Sequence, residues 1–310
     1  MKIGMIGAGA MGSLFGARLS NNSDVYLIDV NQEHVEAVRK KGLRVKNIDG
    51  SESVYNLFAA SRYEELPCKV DLAIVFTKSY HTQDAAETVR AVLDPSGMAL
   101  TLQNGVGNLE ILRNALGDET AVAGVTSHGG DFIGPGEVRH AGKGPTHIGC
   151  LQSKRKFLES TVQIFNASGI ETKLSDDVES LIWGKLIVNV GINALTAIFR
   201  VRNGVIGKTP ECARVMRTAV SEAVEVSRAL GVRLPYEEPF AQVKKVCEAT
   251  AENRASMLQD VLKGARTEIG AINGAIVKKA EALGIKTPVN LMLTQIVEGL
   301  EATSEYRIEK

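Results

Sequence analysis

The sequence predicts an α/β N-terminal half, a parallel sheet covered by helices on both faces, followed by an all-α C-terminal half. Three observations lead there. Short apolar runs of strand length alternate with helical patterns through the first half. A glycine-rich turn, Gly7-Ala8-Gly9-Ala10-Met11-Gly12, sits at the first strand–helix junction. After Leu174 the strand-like runs stop and long helical stretches take over.

The expected strands are Lys2–Ile6, Val25–Val30, Asp71–Phe76, Met98–Leu102 and Ala121–Thr126, with helices at Ala10–Ser20, Gln32–Lys41 and Thr82–Leu93 between several of them. The segment Phe132–Cys150 breaks the rhythm. Its glycines and Pro145 suggest short antiparallel strands and turns. A helix at Ser153–Asn166 and a strand at Ile170–Leu174 follow. The second half reads as helices at Asp176–Arg202, Thr209–Leu230, Pro239–Glu248 and Met257–Leu283, with Ser175-Asp176-Asp177 as N-cap candidates and Gly231 and Gly284 as helix stops. The expected domains are residues 1–174 and 175–310.

A chain of 310 residues is long enough for two domains of about 150 residues. Lys plus Arg and Asp plus Glu both number 36, so the net charge is zero. That balance argues against a nucleic-acid binder, which usually carries a basic excess. A hydrophobic share of 44% with 23% charged residues excludes a disordered chain.

The glycine turn is G-x-G-x-x-G. In this setting, after an apolar strand and at the start of a helix, it is a dinucleotide-binding fingerprint of Rossmann type. The first glycine allows a tight turn, the second lets a pyrophosphate approach the backbone, and the third lets helix and strand pack closely. Helix N–H groups then face the phosphates. Gly7, Ala8, Gly9, Ala10, Met11 and Gly12 are therefore expected cofactor contacts. Asp29 ends the second expected strand. A carboxylate there can accept hydrogen bonds from ribose hydroxyls and would repel a 2′-phosphate, which favours NAD(H).

The stretch Leu181–Phe199 is apolar nearly all round and should be buried. Lys185, Asn189 and Asn193 lie at i, i+4 and i+8 within it. At about 100° per residue they fall within an arc of roughly 80°. Burying an ammonium and two amides on one stripe is costly without partners, and a cleft holding a polar ligand accounts for it. The same residues argue against a membrane span, because a Lys at bilayer depth is expensive. Lys78 and Asn104 follow two expected strands, at the carboxyl ends where ligands of open α/β sheets bind. Asn104-Gly105 also fits an ordinary turn, and Lys78 a solvated loop. By spacing alone, Asn253 and Ser256 would cap a helix and Glu268 would lie on a solvated face.

Cys68, Cys150, Cys212 and Cys247 form no C-x-x-C pair, and the five histidines show no metal-ligand spacing. Neither zinc nor a disulfide framework is expected, and reduced thiols in the cytoplasm are the default.

These residues together resemble the ketopantoate reductase (2-dehydropantoate 2-reductase) family. The matching pieces are the glycine turn, Thr77-Lys78, Gln103-Asn104-Gly105, Trp183-Gly184-Lys185-Leu186 with Asn189 and Asn193, Asn253 through Asp260, Arg266-Thr267-Glu268-Ile269, and Ile272-Asn273-Gly274. They span nearly the whole chain. The resemblance implies a Rossmann domain and a helical domain with the active site between them. It also implies reduction of 2-dehydropantoate to (R)-pantoate for pantothenate and coenzyme A synthesis.

Carried over, Lys185 would be the general acid, and Asn104, Asn189, Asn193, Asn253 and Ser256 would position the substrate. Lys78 and Asn104 would lie near the nicotinamide, and Glu268 matches an acidic residue of the site. Family members commonly prefer NADPH and carry a basic residue where this chain has Asp29. NAD(H) is therefore expected here, with Arg39 or Lys40 the residues that could still reach a 2′-phosphate. A reductase of another branched 2-oxo acid and a non-catalytic NAD(H) sensor are the competing readings. The expected partner is a small 2-oxo acid, not a nucleic acid or a membrane, and a homodimer is the commonest closed assembly.

Overall fold

The computed structural model describes residues Met1–Tyr306. The chain divides into two compact units. One comprises Met1–Gln103 and Asn108–Val178, and the other Asn104–Gly107 and Glu179–Lys310.

The first unit is α/β. In chain order it contains β1 (Lys2–Ile6), α1 (Ala10–Leu19), β2 (Asp24–Ile28), α2 (Gln32–Lys41), β3 (Leu43–Lys46), β4 (Glu52–Tyr55) and β5 (Phe58–Ala60). It continues with β6 (Val70–Val75), α3 (Thr82–Val92), β7 (Leu93–Thr101), α4 (Asn108–Leu116) and β8 (Ala121–Thr126). It ends with β9 (Gly129–Gly134), β10 (Glu137–Gly142), β11 (Thr146–Gly149), α5 (Arg155–Ala167) and β12 (Thr172–Ser175).

Eight strands form one sheet in the order β12-β11-β8-β7-β6-β1-β2-β5. Its pairings are parallel except β8 with β11. The chain leaves β1 toward β2 on one side and returns to β6 on the other. The topological switch point thus lies at the carboxyl ends of β1 and β6, where open α/β sheets bind ligands. The near-continuous apolar runs in β1 and β6 follow from burial on both faces, with Ile3, Met5, Leu72 and Ile74 almost fully enclosed on one face and Ile6, Ala73 and Val75 on the other.

A second, four-stranded sheet, β4-β3-β10-β9, packs on α1 in the same unit. Strands β3, β4 and β5 and helix α4 were not expected from the sequence. Strand β3 alternates cleanly, with Leu43 and Val45 enclosed, but four residues are too few to establish a period, and β4 has no fully buried position. Helix α2 starts where the Asn31 side chain accepts the His34 N–H at 3.1 Å. It stops at Gly42, whose φ is +74°.

The second unit is helical: α6 (Val178–Phe199), α7 (Asn203–Lys208), α8 (Pro210–Ala229), α9 (Pro239–Ala249), α10 (Ser256–Leu262), α11 (Asn273–Leu283) and α12 (Pro288–Ala302). Its core gathers Trp183, Leu186, Ile187, Val190, Met216, Val220, Val243 and Ile276. Gly231 and Gly284 both have positive φ and end helices, as the sequence suggested.

The single helix expected over Met257–Leu283 is broken. Helix α10 ends at Leu262, Gly264 takes φ +65°, and a 3-10 turn at Ile269–Ala271 precedes α11. The Glu301 carboxylate accepts the Thr267 N–H at 2.8 Å, and the Thr267 hydroxyl accepts the Ile269 N–H at 3.1 Å. Those bonds satisfy backbone groups that a helix would otherwise pair, so the loop is stable where periodicity alone reads helix.

Helix α6 is long and apolar enough by composition to cross a membrane, and 67% of its most apolar window is buried inside the protein.

Candidate active site

The glycine turn occupies the switch point of the first unit. Gly7 has φ +90°, and a Cβ there would lie 2.7 Å from the Thr77 backbone nitrogen just beyond β6. A Cβ on Gly12 would lie 1.9 Å from the Gly7 carbonyl oxygen. These two positions must be glycine for α1 to pack on β1 and β6. Gly9 differs, because a Cβ there would meet nothing within 4 Å. Gly9 is also the N-cap of α1, and no side chain caps that helix or places an acidic group in its first turn. The turn therefore presents open space before a helix N-terminus. This is the environment a dinucleotide pyrophosphate needs, and the residues fit the group.

Asp29 follows β2 and is half-buried. Its Oδ2 accepts the Ala8 N–H at 2.6 Å and its Oδ1 accepts the Asn31 N–H at 2.8 Å. A cavity of ≈ 210 Å³ opens beside it, lined by Ala8, Gly9, Asp29, Asn31, His34 and Phe132. The two basic residues of α2 that could reach a phosphate are otherwise engaged. Arg39 donates to the Ala59 carbonyl at 2.7 Å and pairs with Glu65, and Lys40 pairs with Glu36 at 2.7 Å. Lys78 is half-buried at the N-cap of the 3-10 turn Ser79–His81, and its carbonyl accepts the His81 N–H at 2.9 Å.

In the second unit α6 carries Lys185, Asn189 and Asn193 on one stripe. Lys185 and Asn189 are half-buried and Asn193 is 6% exposed. Burial pushes the Lys185 ammonium down to about 8, while the negative charge of Glu268 pulls it back up. Glu268 is itself 7% exposed, which corrects the expectation of a solvated face. The broken helix explains the difference, because the 3-10 turn carries Glu268 inward at its N-cap. Asn104 donates to Glu268 Oε2 at 3.5 Å. Its loop is pinned to the same turn, with the Val106 N–H reaching the Ala271 carbonyl at 3.4 Å. Lys185, Glu268 and Asn104 thus form one electrostatically linked group.

Ser256 is exposed at the first position of α10, whose N-cap is Ala255, so it is not the capping side chain. Asn253 is exposed just before it, and its carbonyl accepts the Asn203 N–H at 3.1 Å. Among the described residues no group of three or more His, Cys, Asp or Glu is placed to hold a metal ion.

Sequence reasoning missed two supports. Tyr236 donates to the Gly184 carbonyl at 2.8 Å, next to Lys185. Beneath α6, Asn273 donates to the Val190 carbonyl at 3.3 Å and to Asn290 at 3.0 Å, and Asn290 in turn donates to Glu222 at 2.7 Å. Buried Asn and Glu in otherwise apolar stretches were the available signal.

Two family descriptions match the chain: Ketopantoate reductase PanE/ApbA over residues 3–153, and Ketopantoate reductase PanE/ApbA C terminal over residues 177–301.

The chain belongs to the ketopantoate reductase family.

Curated relatives in this family include the 2-dehydropantoate 2-reductase of Pyrococcus abyssi, 36% identical over 97% of this chain and 98% of its own. That of Halobacterium salinarum is 37% identical over 96% and 98%. Among solved structures, a PanE/ApbA family ketopantoate reductase from Ralstonia eutropha superposes with a TM-score of 0.91 at 33% identity, over 98% of this chain and 100% of that one. A D-mandelate dehydrogenase with NADH and anilino(oxo)acetate also reaches 0.91, at 30% identity and the same coverage.

Proposed function

We propose that this ketopantoate reductase family member reduces 2-dehydropantoate to (R)-pantoate with NADH, supplying pantoate for pantothenate synthesis. The observation that carries the reading is the Lys185–Glu268–Asn104 group on the helical unit, in a chain whose curated relatives carry that activity by name.

When bound, the reduced dinucleotide supplies a hydride to C2 of the keto acid. Lys185 does the rest of the chemistry at the oxygen. Its ammonium stabilises the negative charge that develops there and gives up one N–H proton to form the product hydroxyl, leaving a neutral amine. A lysine held near 8 is still protonated at neutral pH and is a stronger acid than an ordinary lysine. Glu268 keeps the charge in place. Asn104, Asn189, Asn193, Asn253 and Ser256 offer neutral donors and acceptors for the substrate carboxylate and hydroxyl, and so add no competing charge. Binding both reactants supplies orientation.

On the nucleotide side, Gly7 through Gly12 would hold the pyrophosphate, Asp29 would accept from the adenosine ribose, and Lys78 would serve the nicotinamide end. NADH is favoured because Asp29 would repel a 2′-phosphate and because Arg39 and Lys40 are committed elsewhere. A homodimer in the cytoplasm completes the proposal. Leu291, Met292 and Ile296 leave an apolar strip exposed on α12 that a second copy could cover.

The likeness to a D-mandelate dehydrogenase favours one second reading, a 2-oxo acid with a bulkier substituent. Initial rates with 2-dehydropantoate and with phenyl-substituted 2-oxo acids, each with NADH and NADPH, decide between them. Fast NADH oxidation with 2-dehydropantoate supports the proposal. Turnover of only the aryl acids replaces its substrate, and turnover with NADPH alone removes the Asp29 argument.

A further inference from the structure

His34 lies in the first turn of α2 and is 1% exposed. Its two ring nitrogens face different elements of the first unit. The Gly136 backbone N–H donates to Nδ1 at 2.9 Å, and Nε2 lies 3.1 Å from Ser13 Oγ. A backbone N–H only donates, so Nδ1 carries no proton and the neutral ring carries its hydrogen on Nε2. Nε2–H therefore donates to Ser13 Oγ. The Ser13 hydroxyl, with its hydrogen free, donates to the Ala8 carbonyl at 2.7 Å.

Every donor in this chain meets one acceptor, and the chain ends on the glycine turn. The same Ala8 residue is held on its other side, where its N–H meets Asp29. Ala8 is thus clamped from both ends, at the point where the turn must present its backbone to a phosphate.

We infer that His34 and Ser13 are positioning residues of the dinucleotide site, relaying the β9–β10 turn at Gly136 to the Ala8 carbonyl and fixing the shape of the glycine turn. The inference rests on the proposed nucleotide-binding reading. Three further observations support it. The His34 ring forms part of the wall of the ≈ 210 Å³ cavity beside Asp29. Phe132, which also lines this cavity, packs against His34 with ring centroids 5.1 Å apart. Burial also lowers the proton affinity of His34, against the opposing pull of Asp29, so the neutral form that the relay requires is the stable one.

The test uses the full-length enzyme with Ser13→Ala, His34→Phe and the double variant. NADH affinity is read by nicotinamide fluorescence titration, and kcat and KM by steady-state rates. A relay predicts that each single variant weakens NADH binding by roughly tenfold, raises KM for NADH in step and leaves kcat at saturating NADH within about twofold. The double variant should be no weaker than the worse single one, because both break the same chain. Ser13→Ala removes only one oxygen from a buried site, so it keeps the test available if His34→Phe folds poorly. NADH affinity unchanged in both single variants overturns the inference, as do additive losses or a fall in kcat with KM unchanged. Wild-type enzyme that binds neither NADH nor NADPH overturns the nucleotide-binding reading itself, and this inference with it.

Discussion

Tyr236 hands its phenolic hydrogen to the Gly184 carbonyl at 2.8 Å, one residue before Lys185 on α6. Burial raises the phenol's proton affinity well above its ordinary value, so it stays a donor across the working pH range. The preceding residue, Pro235, covers the same spot, and a Cβ on Gly184 would lie 2.6 Å from the proline Cγ. Two contacts therefore fix the position of the helix turn that carries the proposed acid.

Gly184→Ala is expected to cost about 1–3 kcal/mol of stability, because the rigid proline ring must shift to admit the methyl group. Urea unfolding checks it. The variant should also lose turnover, since moving Pro235 moves the turn that bears Lys185. Tyr236→Phe should cost less, about 1 kcal/mol, because Gly184 loses a single hydrogen bond.

Lys185→Ala should lower kcat by roughly two to four orders of magnitude while leaving NADH binding intact. The pH profile carries a sharper expectation. The proposed mechanism uses the acid form, and the ammonium loses its proton near 8, so kcat should fall as pH rises through that value. Glu268→Gln removes the charge that supports the ammonium and should move this alkaline limb to lower pH. A limb that stays in place would show that Glu268 does not act on Lys185.

Asp29→Ala is expected to raise KM for NADH by about tenfold and to narrow the gap between NADH and NADPH. The variant removes a proposed ribose acceptor, a repulsive charge and the acceptor for the Ala8 N–H together. Rates with both cofactors check it.

His128 packs against His140, with Nδ1 and Nε2 3.1 Å apart. Burial, then the charges of His140, Arg18 and Lys143, pushes His128 down to about 4. The ordinary value is 6.5, so the unfolded chain takes up this proton before the folded one does. The contribution to stability is complete above about 6.5 and is lost as pH falls toward 4. The fall in Tm between pH ~7 and ~4.5 should be smaller in His128→Asn than in wild type.

The strands around the switch point were legible because burial on both faces makes β1, β6 and β8 continuous apolar runs beside helices of regular period. The Lys185–Asn189–Asn193 stripe was legible because polar residues stand out against an apolar helix. Glu268 was not legible by spacing and entered only through the family resemblance, because its burial depends on where α10 stops. The Glu301 carboxylate that holds the Thr267 N–H there is far away in sequence. Asp29 was legible as a strand-end carboxylate, but its bond to Ala8 was not. The His34 relay was also hidden, since its three partners lie on α1, in the glycine turn and in a hairpin turn that share no periodic pattern.

Asn104–Gly107 groups with the helical unit although the chain on either side of it belongs to the α/β unit. The helical unit is therefore not one uninterrupted stretch of polypeptide, and no single cut releases it complete. A chimera exchanging only the residues from Glu179 onward between two relatives would set Asn104 of one parent against Glu268 of the other. The helical unit's Asn104–Glu268 bond is thus written into two separated stretches of the chain, and a chimera that keeps it intact must carry Asn104–Gly107 along with the residues from Glu179 onward.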